Sequence, residues 1–538
     1  MNGIMSKVMD KNQPTNLGVL LKEAIANIGL HDQVDQSVST EQKVHVNNMA
    51  NGLLFAYEQI RNVSENIENH LIFQSAIRRF YKRTLSFGFR KDPTDLAHEL
   101  IIELTQAEYL KNDITPLSKL KTIESYITEH YEMYWQLVKR FKSVRPETAQ
   151  KWTLDILTVK TEQAFNNPVR ILSFAAFAYS HFSQLLNVSE FVVDGDRLDD
   201  ADKATVLYIA IHKALLKSNE ANVRSGLYGL YGISNDDIGT MVEFNKKFDT
   251  LTSLKTTAKV SRMVSRNGAP LRIIRATFFQ KQAEQKALHI ENRSHLLGQI
   301  ESQIGEEYSQ VQRNVKMGVI KSIIFLLITK ALIGLVVEIP YDLAVYGSII
   351  VLPLVINLAF PPLFIATTAL TFKMPSQNNR KAIVNYIESM LYENVVEKPS
   401  LKYPLSAGRS YFFNTVYVAM FLTVFYIVAR QLLVLEFNVV QGVIFFIFLS
   451  TASFLGYRLT VQIKELEIVS RSQGFIILIR DFLYAPFIFV GQKISYRFAR
   501  MNIIAQLLDI VIEMPLKTVL KLLRQWSVFL NSKKDELL

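Results

Sequence analysis

The chain has 538 residues, 49% of them hydrophobic, with 34 Phe; that length exceeds what one core organises, and that composition points to a membrane class with two or more domains. There is no cysteine, which excludes disulfide frameworks, Cys-based zinc sites, iron–sulfur ligation and thiol catalysis. The net charge of +11 is unevenly placed, with 37 Lys and Arg against 36 Asp and Glu in residues 1–310 but 23 against 13 in residues 311–538. A basic excess around apolar segments reads as topology and contact with an anionic leaflet, so no nucleic-acid partner is expected.

Residues 1–268 read as a cytosolic helical domain. Apolar residues recur at helical spacing in "NMANGLLFAYEQIRNV", "HLIFQSAIRRFYKRTL" and "SKLKTIESYITEHYEMYWQLVKRF", and alternating strand patterns of useful length are absent. Ser39 with Gln42 fits a capping box, and Pro93 and Pro168 suit first helical turns. The glycine- and tyrosine-rich stretch Asn222 to Asp237 reads as a loop dividing the domain. Arg78 to Arg83, "RRFYKR", reads as a solvated helix face. The acidic cluster Asp194 to Asp202 fails the EF-hand spacing and suits a helix N-terminus instead.

Residues 269–320 run without a strong breaker toward the first apolar segment and read as a coiled-coil-like stalk, one long helix or two in tandem. Four apolar segments follow. Ser322 to Ile339 carries Lys330 near its middle, where a lysine costs roughly 3 kcal/mol on insertion scales, outweighed by the surrounding Ile, Leu, Phe and Val. If the role is anchoring, Lys330→Leu should remove that cost and leave insertion, abundance and partner binding intact or improved, whereas in a conduit it should abolish or reverse ion preference. Leu343 to Phe372 is free of charge, and Pro353, Pro361 and Pro362 suggest kinking or breakage there. Tyr411 to Ala429 and Phe437 to Tyr457 form a second uncharged pair.

Lys and Arg are absent from the connections within each pair, whereas Lys373, Arg380, Lys381, Lys398, Lys402 and Arg409 lie between the pairs. This asymmetry places both termini in the cytosol. The expected fold is therefore an all-α integral membrane protein: a transmembrane hairpin at 321–373, a cytosolic basic loop at 374–410, a second hairpin at 411–457, and C-terminal interfacial and amphipathic helices at 458–538. Within the last region, Gly474 to Gly491 holds Arg480 and Asp481 near its centre, and reads as interfacial or re-entrant rather than spanning. Lys517, Lys521 and Arg524 form a basic stripe on an amphipathic helix suited to an anionic membrane surface.

Signatures of catalysis are missing. No Gly-Lys-Ser/Thr loop, Gly-x-Ser-x-Gly elbow or zincin pattern occurs, so no enzyme, cofactor or metal is expected. The candidate functional residues are the polar groups within or beside the apolar segments: Lys330, Glu338, Asn357, Arg430 and Glu436. Two readings follow. One is a membrane anchor for the helical domain, acting as scaffold, sensor or membrane organiser through the bilayer and a protein partner. The other is an oligomeric channel or transporter passing an ion or small solute. The compartment expected is a bacterial cytoplasmic membrane.

Overall fold

The computed structural model describes residues 14–37, 42–46, 58, 71–84, 92–185, 192–193, 196–234, 237–280, 292–393, 407–469 and 475–501, with 518–519, 522, 525–526, 529–530 and 533. Within these residues the chain is predominantly helical, with one two-residue antiparallel strand pair, β1 (Val192–Val193) and β2 (Asp196–Arg197). It divides into two compact units, Val19–Val264 with Asn502–Leu538, and Met1–Gly18 with Ser265–Met501.

The first unit takes in α1 (Asn16–Ser37) from Val19 onward, α2 (Ile72–Thr84), α3 (Pro93–Gln106), α4 (Leu117–Arg140), α5 (Pro146–Phe165) and α6 (Val169–Leu185). After β1 and β2 come α7 (Asp200–Ile211), α8 (Glu220–Leu230), α9 (Ile238–Ser253) and α10 (Lys255–Arg266). The capping chemistry is local and legible. Pro93 opens α3 behind Asp92, whose carboxylate accepts from the Thr94 N–H, and Asp199 caps α7 by accepting from the Asp202 N–H, as helix starts require. Amphipathic faces then close two apolar clusters, one centred on Ile77, Phe80, Leu100 and Ile123, the other on Met133, Trp152 and Met241.

The stretch expected to be a loop, Asn222 to Asp237, is helical as far as Leu230. Glycine there serves close packing: a Cβ on Gly226 would sit 2.5 Å from the Tyr208 hydroxyl. The same helix delivers Arg224, fully buried, to Asp155 Oδ2 (3.1 Å), Asn245 Oδ1 (2.5 Å) and Asp249 Oδ1 (2.6 Å), with the guanidinium over the Phe248 ring. Asp155 also pairs with Arg78 at 2.5 Å. The run Arg78 to Arg83 is thus not a freely solvated face, because Arg79 pairs with Glu58 and Arg83 with Glu103 as well.

Three titratable groups of this unit bear on its pH dependence. Burial pushes the Glu162 carboxyl up to about 7, against a weaker opposing hydrogen bond from Gln74, while burial holds the His130 and His181 imidazoles down to about 4. A histidine depressed in the folded state costs stability as pH falls from about 6.5 to about 4. A carboxyl raised in the folded state costs stability as pH climbs from about 4.5 to about 7. Glu162→Gln should therefore melt close to the wild type below pH 4.5 and progressively above it toward pH 7, by on the order of 2–3 kcal/mol. Parallel pH-dependent melts of the two proteins check this, and a constant difference across the range would contradict it.

The second unit holds α11 (Ala269–Phe278), α12 (Arg293–Ile333), α13 (Ile339–Tyr346), α14 (Val351–Ala369), α15 (Gln377–Tyr392), α16 (Ala407–Val434), α17 (Val439–Lys464) and α18 (Phe475–Met501). The region expected to be a stalk contains α11 lying alongside α12, with Ala276, Thr277 and Gln280 facing Gln303, Glu307 and Gln310 across a shared groove. Helix α12 runs unbroken from its polar start into the first apolar segment and continues through a π-helical turn, Gly334–Glu338, into α13. The chain therefore breaks later than the sequence suggested. Gly347, at φ +70, ends α13 by donating its N–H to the Leu343 carbonyl, and α14 begins at Val351. Pro353 falls in the first turn of α14, where its missing N–H is harmless, and Pro361 and Pro362 are accommodated inside that helix.

Among the described residues, four helices are long and apolar enough to cross a membrane: Arg293–Tyr346, Val351–Ala369, Thr415–Val434 and Val439–Lys464. Their burial pattern is inverted relative to a water-soluble bundle. Ile328 (64%), Leu332 (61%) and Leu335 (67%) are exposed, whereas Lys330 (1%), Glu338 (0%) and Asn357 (0%) are not. Apolar side chains turned outward, with polar groups enclosed among the apolar contacts of the interior, suit a hydrocarbon solvent.

Asn379 ties α15 to α12 and to the segment that follows α17. Its amide N–H groups donate to the Tyr308 hydroxyl and the Leu466 carbonyl, both at 2.8 Å, and its oxygen accepts from the N–H groups of Ile468 and Val469. Helix α18 takes in residues 475–491 of the stretch that was expected to be interfacial or re-entrant. Its Phe487 stacks with Phe425 and Phe446, and Tyr484 meets Phe364 edge-on, so this part of α18 reaches the level of the candidate spans. The side chains of Arg480 and Asp481 lie outside the described residues, as do Lys517, Lys521 and Arg524. A Cβ on Gly491 would lie 2.1 Å from the Ser450 backbone carbonyl oxygen. Gly491→Val should accordingly separate α18 from α17 and lower the melting temperature of the purified protein, while the same change at Gly442, which has open space around it, should act only through helix propensity.

Candidate functional site

Three of the five sequence candidates converge on one site. Lys330 and Glu338 are eight residues apart, which on a regular α-helix leaves them about 80° out of phase. The π turn Gly334–Glu338 inserts about one extra residue and rotates Glu338 back onto the face of Lys330. Leu326, Lys330, Gly334, Glu338 and Asp342 consequently form one buried stripe. The Lys330 ammonium donates to Glu338 Oε1 and lies 5.2 Å from the centroid of the Phe448 ring.

Asn357, from α14, bridges this stripe to α17. Its amide nitrogen donates to Glu338 Oε1 at 3.1 Å and to the Gln441 backbone carbonyl at 3.2 Å. Both partners are oxygens, so the amide orientation is set by the network itself. One turn beyond Glu338, Asp342 receives a donor at each oxygen: Asn438 Nδ2 at Oδ1 (2.9 Å), Gln441 Nε2 at Oδ2 (2.9 Å) and the Ile350 N–H at Oδ2 (3.3 Å). Asn438 and Gln441 are also the two halves of the capping box that starts α17, which fixes both side chains at the helix end.

The result is a polar cluster assembled from α12, α13, α14 and α17, with Lys330, Glu338, Asp342, Asn357 and Gln441 all between 0 and 1% exposed. Two acceptors in it, Glu338 Oε2 and Asn357 Oδ1, have no hydrogen-bond partner among the described residues. The remaining candidates stay outside. Arg430 and Glu436 are exposed, and Glu436 takes a left-handed conformation (φ 61) where α16 ends.

Sequence reasoning missed Asp342, Asn438 and Gln441. The first apolar segment, bounded at Ile339, leaves Asp342 outside it, yet the chain stays helical through Asp342, with Pro340 tolerated in the first turn of α13. Two signals were present: Asp342 follows Glu338 at helical spacing, and Asn438-x-x-Gln441 has capping-box form.

No protein-family model, curated protein or solved structure matches this chain.

Proposed function

We propose that the chain is a multipass membrane protein that anchors and orients its large helical domain, in a scaffolding, sensing or membrane-organising role. In this reading the four apolar helices form two hairpins whose tips, near Ser348 and Val439, face away from the cytosol. Both termini, the helical domain and the basic segment between the hairpins lie on the cytosolic side, against an anionic leaflet. The observation that supports anchoring over conduction is the buried cluster: the deep polar groups of the spans bond one another at 0–1% exposure, an arrangement that holds helices in register. Ions that cross a bilayer need polar groups presented to a hydrated path.

The experiment has two arms on the same purified full-length protein. Capture from detergent-solubilised membranes should return a stoichiometric protein partner. Reconstitution into anionic liposomes should give no protein-dependent flux of potassium, sodium, chloride or protons. Flux abolished by substitutions in the cluster would replace the anchor with the conduit.

A further inference from the structure

The cluster holds one ammonium and two carboxyl groups, Lys330, Glu338 and Asp342, none more than 1% exposed. With all three ionised it would carry one uncompensated negative charge among apolar helices, a state strongly disfavoured in low dielectric. No other Lys, Arg, His, Asp or Glu bonds to the cluster from α14 or α17, the elements packed against it, among the described residues. Something of single positive charge must complete it.

We propose that this is one proton, bound between Glu338 Oε2 and Asn357 Oδ1. Hydrogen bonding selects the position. Asp342 has donors on both oxygens, the environment of an ionised carboxylate. Glu338 has both its donors, Lys330 and Asn357, on Oε1 and none on Oε2. The Asn357 amide that contacts Glu338 likewise has its nitrogen engaged and its oxygen without a donor. A single proton on Oε2 turns that atom into a donor and gives Asn357 Oδ1 its missing hydrogen bond, so one ligand resolves both orphaned acceptors and the net charge together. A metal cation fits poorly, since two free oxygens fall well short of the six or so a hard cation takes. Two carboxyl groups one helical turn apart, of which one is ionised and the other holds a proton, are a known solution to like-charge burial.

The site lies one turn from the α13–α14 connection, because Asp342 accepts from Ile350 there. The site goes beyond the anchoring role, because it makes a bound proton part of the packing among α12, α13, α14 and α17 whether or not a solute passes.

The test is infrared spectroscopy of the full-length protein in lipid at neutral pH. The wild-type band of protonated carboxyl groups, to which the raised Glu162 carboxyl also contributes, should lose one component in Glu338→Gln, and that component should shift on transfer to heavy water and persist in Glu162→Gln and in Asp342→Asn. Glu338→Gln should also fold and melt within a few degrees of the wild type, because glutamine offers the same acceptor to Lys330 and a donor to Asn357. Absence of that component in the wild type, its loss in Asp342→Asn alone, or failure of Glu338→Gln to accumulate would each overturn the assignment.

Discussion

Replacing Lys330 by leucine should destabilise the protein by about 3–5 kcal/mol, the usual cost of removing one partner from a buried charge pair. The variant would leave the Glu338 and Asp342 carboxyl groups enclosed with no cation, and Asn357 would lose its shared acceptor geometry at Glu338 Oε1. This reverses the outcome expected for a lone intramembrane lysine, whose removal would relieve a cost. The physical difference is the π turn, which brings Glu338 onto the lysine's face and converts a liability into one half of a bonded pair. Thermal melts of the purified protein and its steady-state abundance in membranes measure the effect. Abundance at or above wild type would show that Lys330 carries no structural burden.

A comparable loss is expected in the other unit. Arg224→Met should cost about 3–5 kcal/mol, since the fully buried guanidinium joins α8 to Asp155 on α5 and to Asn245 and Asp249 on α9. Arg78 would still neutralise part of Asp155 from α2, and Trp152 would still donate to Asp249 Oδ2, so the variant folds with a lowered melting temperature. Arg224→Lys should recover little, because three acceptors at different angles need the planar fork of a guanidinium. Melting the two variants beside the wild type distinguishes geometry from charge: near-complete recovery by lysine would mean that charge alone suffices.

What the sequence disclosed and what it withheld follow from the range of the interactions involved. Apolar runs of membrane length, proline at first helical turns and caps such as Asp92 and Asp199 are local, and each could be placed from a few neighbouring residues. Lys330, Glu338 and Asn357 were nominated one at a time, because an ionisable or amide group in an apolar run is conspicuous by itself. Their convergence was not legible. It depends on a π turn that shifts helical phase, on Gly347 rather than proline ending the helix, and on α14 and α17 meeting at Asn357 and Gln441. Arg224 was hidden for a related reason, as glycines at 226, 229 and 232 mimic a loop when the close approach of Tyr208 to Gly226 is unseen.

The central claim, that the polar cluster is enclosed between helices crossing a bilayer, is tested most directly by labelling single introduced cysteines with a membrane-impermeant thiol reagent. The chain contains no cysteine of its own, so each signal comes from one site. Ser348 and Val439, both exposed beside the cluster's capping residues, should label from the same side, and Asn378, exposed beside the Asn379 clamp, from the opposite side. Labelling of Ser348 and Asn378 from one and the same side of a sealed membrane would contradict the account.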